Sequence, residues 1–252
     1  MTSHMSGAEQ NTVGAVVIGR NEGDRLVRCL ASLGQNVGPV VYVDSGSTDG
    51  SLEAARAAGA EVVELDLSRP FTAARARNEG FAALGATKGA PPAFVQFIDG
   101  DCEIVPGWLE HGRVAVGEQE DVAAVCGRRR ERHPEASAYN RLIDLEWDTP
   151  VGEAKSCGGD ALYRVAAYRQ AGGFDPTVTA GEEPELCRRM RAQDWRVLRL
   201  NHEMTLHDAD MRTFKQWWMR EVRSGYGAMD VYMRTRKSDP LFGEQVLRVR
   251  RC

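Results

Sequence analysis

This chain of 252 residues holds six cysteines, but no two form a Cys-x-x-Cys pair. Zinc frameworks and disulfide scaffolds announce themselves through such spacings, so neither is signalled. Cys29, Cys102, Cys126, Cys157, Cys187 and Cys252 read instead as reduced thiols, which suits a cytoplasm. Long apolar runs are missing too. Nothing approaches the ~18 consecutive apolar residues of a membrane span. The polar start Met1 to Gln10 lacks the apolar centre of a signal peptide, and residues 1–12 are expected to be a disordered tail. Positive charge is not in excess: 32 basic residues face 36 acidic ones, for a net charge of -4, which argues against nucleic acid as a partner. No Gly-x-Gly-x-x-Gly turn follows a strand, so dinucleotide oxidoreduction is unsupported. Repeats and low-complexity blocks are absent as well.

What the chain does contain is an alternation of short β-branched runs with longer amphipathic ones, the pattern of strand-helix-strand units around a largely parallel sheet. Strands are expected over Val13 to Ile18, Val40 to Val43, Glu61 to Leu67 and Ala93 to Ile98. Helices are expected over Asp24 to Leu33, Ser51 to Ala58 and Thr72 to Leu84, with Gly34 and Gly59 as stops. Open α/β sheets bind ligands at the carboxyl ends of their strands, which is where Asp44 and Asp99 fall. Further on, Val122 to Cys126 and Val197 to Leu200 read as strands, and Tyr139 to Trp147 and Pro184 to Asp194 as helices. A single domain is expected over residues 13–211, followed by a helical and basic extension over 212–252.

The turn Asp99-Gly100-Asp101 closes the fourth strand with two carboxylates. Their oxygens suit one hard cation, Mg²⁺ or Mn²⁺, while Asp-Gly alone serves equally as a hairpin turn. Asp44 and Asp49 lie in Asp44-Ser45-Gly46-Ser47-Thr48-Asp49-Gly50, where side-chain oxygens also cap turns, and Asp49 is read as such a cap.

Five motifs occur in order: Val16-Val17-Ile18-Gly19-Arg20-Asn21-Glu22, Val43-Asp44-Ser45-Gly46-Ser47-Thr48-Asp49-Gly50, Ala76-Arg77-Asn78-Glu79-Gly80, Asp99-Gly100-Asp101 and Gly181-Glu182-Glu183-Pro184-Glu185-Leu186. With them the chain resembles family 2 glycosyltransferases of the bacterial type over about residues 13 to 233. The resemblance implies the GT-A fold, an α/β nucleotide-sugar-binding sandwich with a mostly parallel sheet. It also implies transfer of a sugar, with inversion, from a nucleotide-diphospho-sugar to an acceptor hydroxyl. It assigns Asp101 to the metal, Asp99 and Gly100 to the nucleotide near the ribose, Asp44 to the base, and Arg77 to the base or phosphates. The loop Gly19, Arg20 and Glu22 would line the nucleotide.

An acceptor hydroxyl needs a general base, and Glu183 is the aligned candidate, with Glu182 beside it and an Asp replaced by Glu in the motif. Glu185 is read as favouring the helix N-terminus. By the same resemblance His207 is a third metal ligand, with His202 in reserve. His4, His111 and His133 are read as surface residues. Gly159 and Asp160 would meet the donor or acceptor sugar, whereas Gly172-Gly173 serves equally as a turn. The run Arg128 to Arg132 reads as a solvated or phosphate-facing edge. Gln216 to Arg220 differs in spacing and order from the Gln-x-x-Arg-Trp motif of processive members, so polymer synthesis is not inferred.

Phe214 to Arg223 starts a helix of aromatic anchors and basic residues, and Arg234, Arg236, Lys237, Arg248, Arg250 and Arg251 extend the charge. Peripheral contact with the inner face of a membrane is one expectation, and packing on its own domain is the other. The abrupt close Val249-Arg250-Arg251-Cys252 suggests a portion of something longer. Two other readings stand beside the leading one. A sugar nucleotidyltransferase would want a Gly-rich basic loop after the first strand, where this chain has Gly19-Arg20-Asn21-Glu22-Gly23. A carbohydrate- or nucleotide-binding module would bind without turnover.

Overall fold

A computed structural model describes residues 12–35, 37–87 and 91–236. The expected tail at 1–12 lies almost wholly outside these residues, as do Lys237, Arg248, Arg250, Arg251 and Cys252. The first half alternates β1 (Val13–Gly19), α1 (Asp24–Ser32), β2 (Val40–Asp44), α2 (Ser51–Ala57), β3 (Glu61–Glu64), α3 (Ala73–Ala86) and β4 (Phe94–Asp99). After it come β5 (Cys102–Ile104), α4 (Trp108–Glu118), β6 (Val122–Glu131), α5 (Ala138–Glu146), β7 (Gly152–Glu153) and β8 (Ala161–Arg164). The chain continues through α6 (Val165–Gln170), α7 (Glu182–Arg191), β9 (Arg196–His207) and α8 (Phe214–Thr235).

One sheet carries all the strands in the order β3-β2-β1-β4-β8-β6-β9-β5, with β7 paired to β9. From β3 to β4 every pairing is parallel, and β8 then joins β4 antiparallel. Register brings Gly19 level with Asp44 and Ile18 level with Asp99, so these strand ends share one edge. The β-branched runs explain the core, since Val16, Val17, Val41, Val43 and Val95 are fully buried. Helix α3 starts at Thr72, whose side chain accepts the Arg75 N–H at 3.1 Å. It lies close on the sheet because Gly80 faces Val16 and Val43, where a Cβ would come within 2.4 and 2.7 Å of their methyls.

Two elements outrun their sequence expectation. β6 continues beyond Cys126 through Arg128, Arg129 and Arg130 to Glu131, and β9 continues from Leu200 to His207. They pair in parallel, and β9 takes up extra residues opposite the stretch Cys126 to Arg129. Residues Asn201, His202 and Glu203 form an exposed crest there. α7 starts two residues before Pro184, which sits in its first turn, where a missing N–H costs little.

α8 is docked on the body. Val231 and Thr235 are buried, Arg220 pairs with Glu146 at 2.8 Å, and Arg234 donates to Thr177 Oγ1 at 2.7 Å. A capping box formed by Thr213 and Gln216 starts the helix, which gives Gln216 a local role. No helix among the described residues is long and apolar enough to cross a membrane.

Candidate active site

Asp99, Gly100 and Asp101 form the turn between β4 and β5. The hairpin alternative is excluded, because β5 pairs with β9 and not with β4. That pairing sets Cys102 opposite His207, and the imidazole Nε2 comes to 3.3 Å from Asp101 Oδ2. On its other side Nδ1 faces Glu131 Oε2 at 3.7 Å, and the ring meets Trp147 edge-on at 4.9 Å. Glu131 is fixed in turn by the N–H groups of His133 and Ala209, each at 3.1 Å.

Burial opposes ionisation of Asp101, but the neighbouring imidazole and Arg129 outweigh it and hold the carboxyl well below its ordinary range. Burial likewise opposes charge on His207, and Asp101 and Glu131 override it, pushing the ring up to about 9. A carboxylate oxygen and an imidazole nitrogen converging from two elements match Mn²⁺ in ligand chemistry. Cys102 lies within the same group, but its thiol is buried, is pushed up by burial and donates to Asp101 at 3.4 Å.

Behind the turn lies a knot of buried charges. Arg77 is 2% exposed, and its two amino groups donate to Asp99 Oδ1 and Glu182 Oε1, both at 2.7 Å. Its guanidinium also sits over Phe174 at 5.6 Å. Expected at the base or phosphates, Arg77 instead joins α3 to the turn and to the first turn of α7. Asp160 needs a similar correction. Fully buried, it accepts from the Asp99 N–H at 3.1 Å and Thr205 Oγ1 at 3.0 Å and faces Arg129 at 2.6 Å, so it is not offered to a sugar.

Gly159, expected at the sugar, lies against the charge cluster. A Cβ there would come within 2.5 Å of Arg77 Nη2, 3.1 Å of Glu183 Oε1 and 3.2 Å of Asp99 Oδ2. Gly172 and Gly173 prove to be a turn, with φ of 83° and 70°, and the Gly173 carbonyl accepts from Arg189 at 2.7 Å.

The three glutamates at the start of α7 are distinguished by their partners. Glu182 is held by Arg77, and Glu185 by Arg189 at 2.6 Å. Glu183 has only a longer approach to Arg77, at 3.9 Å. Burial and the adjacent Glu182 push its carboxyl up to about 8. Glu183 Oε1 and Asp99 Oδ2 both lie close to Gly159, 3.1 and 3.2 Å from where its Cβ would stand.

Two cavities meet at the turn. The smaller, about 350 Å³, is lined by Gly19, Arg20, Glu22, Ser45, Phe71 and Gly100 among others. The larger, about 650 Å³, is lined by Arg129, Trp147, His207 and Met211, with Met219 and Arg220 from α8. Asp99, Asp101 and Arg223 belong to both. The expected nucleotide-lining residues Gly19, Arg20, Glu22 and Gly100 thus share one wall.

Asp44 does not join them. Its carboxylate accepts from the Gly46 and Ser47 N–H groups at 2.8 Å and from the Tyr42 hydroxyl at 3.0 Å, so it builds the turn that was the plainer alternative. The next residue, Ser45, lines the cavity, and its hydroxyl has no hydrogen-bond partner among the described residues. Sequence reading passed over Ser45, although it occupies the same loop. Asp49 caps the turn that precedes α2, where its carboxylate accepts from the Ser51 N–H at 3.1 Å. His202 stacks on His111 at 4.0 Å on the β9 crest and takes no part in the Asp101 cluster. Arg129 was not singled out because the run Arg128 to Arg132 reads as a whole, as a solvated or phosphate-facing edge; on an extended strand, alternate positions turn inward.

A doubly-sided cavity at the carboxyl edge of a parallel sheet, centred on an Asp-Gly-Asp turn, defines an α/β protein of the GT-A fold. The chain belongs to glycosyl transferase family 2, whose model it matches over residues 15–169. It is 30% identical over 250 residues to the pre-mycofactocin glycosyltransferase of Mycobacterium tuberculosis, a match covering 91% of this chain and 49% of that protein. The chain therefore spans about half the length of that relative. It spans 34% of a TPR repeat-containing protein of Synechococcus elongatus, to which it is 30% identical over 145 residues, 57% of this chain.

Among solved structures it resembles the mannosyltransferase PcManGT of Pyrobaculum calidifontis in complex with GDP-Man and Mn²⁺, with a TM-score of 0.69 and 18% identity, covering 93% of this chain and 68% of that one. It also resembles glucosyl-3-phosphoglycerate synthase of Mycobacterium tuberculosis with Mn²⁺, UDP and phosphoglyceric acid, with a TM-score of 0.61 and 21% identity, covering 91% and 84%.

Proposed function

We propose that this protein is a metal-dependent, inverting glycosyltransferase that moves a sugar from a nucleotide-diphospho-sugar to an acceptor hydroxyl. The observation that carries the reading is the Asp99-Gly100-Asp101 turn, which borders both cavities and meets His207 at 3.3 Å. Asp101 and His207 would hold Mn²⁺ or Mg²⁺. When bound, such an ion neutralises the charge that a diphosphate gains as it leaves.

The smaller cavity takes the nucleotide, with Gly19, Arg20, Glu22, Ser45 and Gly100 around it, and the larger takes the sugar and acceptor. Glu183 acts as the general base. It accepts the proton of the acceptor hydroxyl while the new oxygen bond forms at the anomeric carbon and the bond to the diphosphate breaks. A single displacement of this kind inverts that carbon. Family membership and neighbours solved with GDP-Man or UDP and Mn²⁺ support the donor class.

α8 supports a second part of the proposal, peripheral membrane contact at the cytoplasmic face. Its exposed Phe214, Trp218, Val222 and Tyr226 stand on the same helix as Lys215. Sedimentation with anionic vesicles, lost in Trp218→Ala, is the expected result; equal sedimentation of both proteins would count against it.

The central test is a thermal-shift screen of UDP-, GDP- and dTDP-sugars with and without Mn²⁺. A rise in melting temperature that needs the metal is expected. Absence of any shift with all donors would overturn the reading.

A further inference from the structure

The junction of the two cavities is bordered by three residues, of which two are the acidic Asp99 and Asp101 and the third is Arg223 of α8. The other arginines around the larger cavity are engaged. Arg129 faces Asp160 at 2.6 Å, and Arg220 is tied to Glu146 at 2.8 Å and Glu221 at 2.5 Å. Arg223 is exposed, and no ion pair or hydrogen bond of its guanidinium is present among the described residues, although two carboxylates border the same space.

A guanidinium left unpaired across a junction from an acidic turn suits a ligand that brings its own negative charge. Phosphate matches the fork of an arginine in geometry as well as in sign. The carboxylates opposite would repel a bare anion, so the ligand must carry a cation with it on that side. A diphosphate that carries a divalent ion meets both demands.

We infer that Arg223 binds the diphosphate of the donor from the α8 side, facing the Asp99-Gly100-Asp101 turn. This inference rests on the proposed glycosyl transfer. In that reaction the electron pair of the breaking carbon–oxygen bond stays on the departing phosphate oxygen, and Arg223 stabilises it there. The acceptor proton passes to Glu183, so charge and atoms balance without a further reactant. The helix assigned to a C-terminal extension then supplies part of the reaction centre.

The test compares binding of a nucleoside diphosphate with that of its monophosphate. Titration of the whole chain with UDP and GDP in the presence of Mn²⁺ identifies the better ligand, which is then paired with UMP or GMP. Arg223→Ala is expected to weaken the diphosphate about tenfold, as for one charge-assisted contact, and to leave the monophosphate within about twofold. Arg223→Lys should restore part of the loss, because it returns the charge without the fork. Unaltered melting temperature in both variants serves as the folding control, since Arg223 is exposed and its guanidinium has no hydrogen bond or ion pair among the described residues to lose. Equal loss for diphosphate and monophosphate, or no loss at all, overturns the role of Arg223 while leaving the transferase reading in place. A wild-type chain that binds neither diphosphate overturns both.

Discussion

Arg77 donates to Glu182 at 2.7 Å and thereby ties α3 to the opening turn of α7. The same guanidinium reaches Asp99 at 2.7 Å, so the acidic turn and the glutamate pair are parts of one buried charge cluster. Removing a partner from such a cluster is expensive, because the remaining charges keep their desolvation cost.

Arg77→Ala is therefore expected to lower unfolding free energy by about 3–5 kcal/mol, since it strands Glu182 and Asp99. Urea denaturation monitored by circular dichroism measures it. Arg77→Lys should lose less stability yet fail to span both carboxylates. An unchanged urea midpoint in the alanine variant would show that the cluster does not hold these elements together.

At the metal, Asp101→Ala is expected to abolish the Mn²⁺-dependent part of nucleotide binding, and stripping the wild-type chain with EDTA should have the same effect. Glu131→Gln acts one step removed, because Glu131 faces the far nitrogen of His207 at 3.7 Å. Its expected cost is about 10–100-fold in Mn²⁺ affinity, the usual range for a group that orients a ligand. Calorimetric titration of the metal-free protein reads both; Mn²⁺ affinities matching wild type would remove Asp101 and His207 from the metal site.

Glu183→Gln should keep nucleotide affinity and lose transfer, since only proton acceptance is removed. The wild-type enzyme adds a pH signature. Burial beside Glu182 raises the Glu183 carboxyl from its ordinary 4.5 to about 8, so the basic form is scarce at pH 6 and grows through pH 8. The expected kcat/KM therefore rises with pH, is half-maximal near pH 8 and levels only about one unit above it. The sign for stability is opposite: between 4.5 and about 8 the folded chain holds a proton the unfolded chain has released, so this group's contribution to stability declines over that window. A rate that falls across pH 6 to 8 would rule out Glu183 as the base.

Gly159→Ala introduces a Cβ about 2.5 Å from Arg77 Nη2, with Glu183 and Asp99 close on other sides. Arg77 is anchored at both amino groups and cannot swing away, so the backbone must shift. A loss of about 1–3 kcal/mol is expected, with activity falling further than stability because the displaced groups border the site. Parallel measurement of melting temperature and transfer rate separates the two effects; wild-type values for both would mean that the loop yields freely.

The parallel half of the sheet was legible because β-branched runs alternate with helical spacing, and because glycines mark most of the stops. Register then brought Asp44 and Asp99 to the edge where sequence placed them. Less legible was the division of labour among acidic residues. Asp44, Asp99, Asp101, Asp160 and Glu131 differ in which hydrogen-bond donors surround them, and those donors come from distant segments. Asp44 and Asp160 turned out to be held by protein donors, whereas Ser45 and Arg129 line the cavities. The extent of β6 was hidden for a related reason: four arginines in five positions look solvated until a partner strand and buried carboxylates are supplied.

The uneven pairing of β6 with β9 makes the distance along the chain, rather than side-chain identity alone, a determinant of the reaction centre. Thr205 and His207 point where they do because β9 has accommodated extra residues before reaching them. Side chains on a strand change face with each residue. A single insertion or deletion in the exposed crest Asn201-His202-Glu203 would leave the first half of β9 in place and turn His207 away from Asp101. That surface segment, which touches no part of the Asp101 cluster, therefore tolerates exchange of residues far better than change of length.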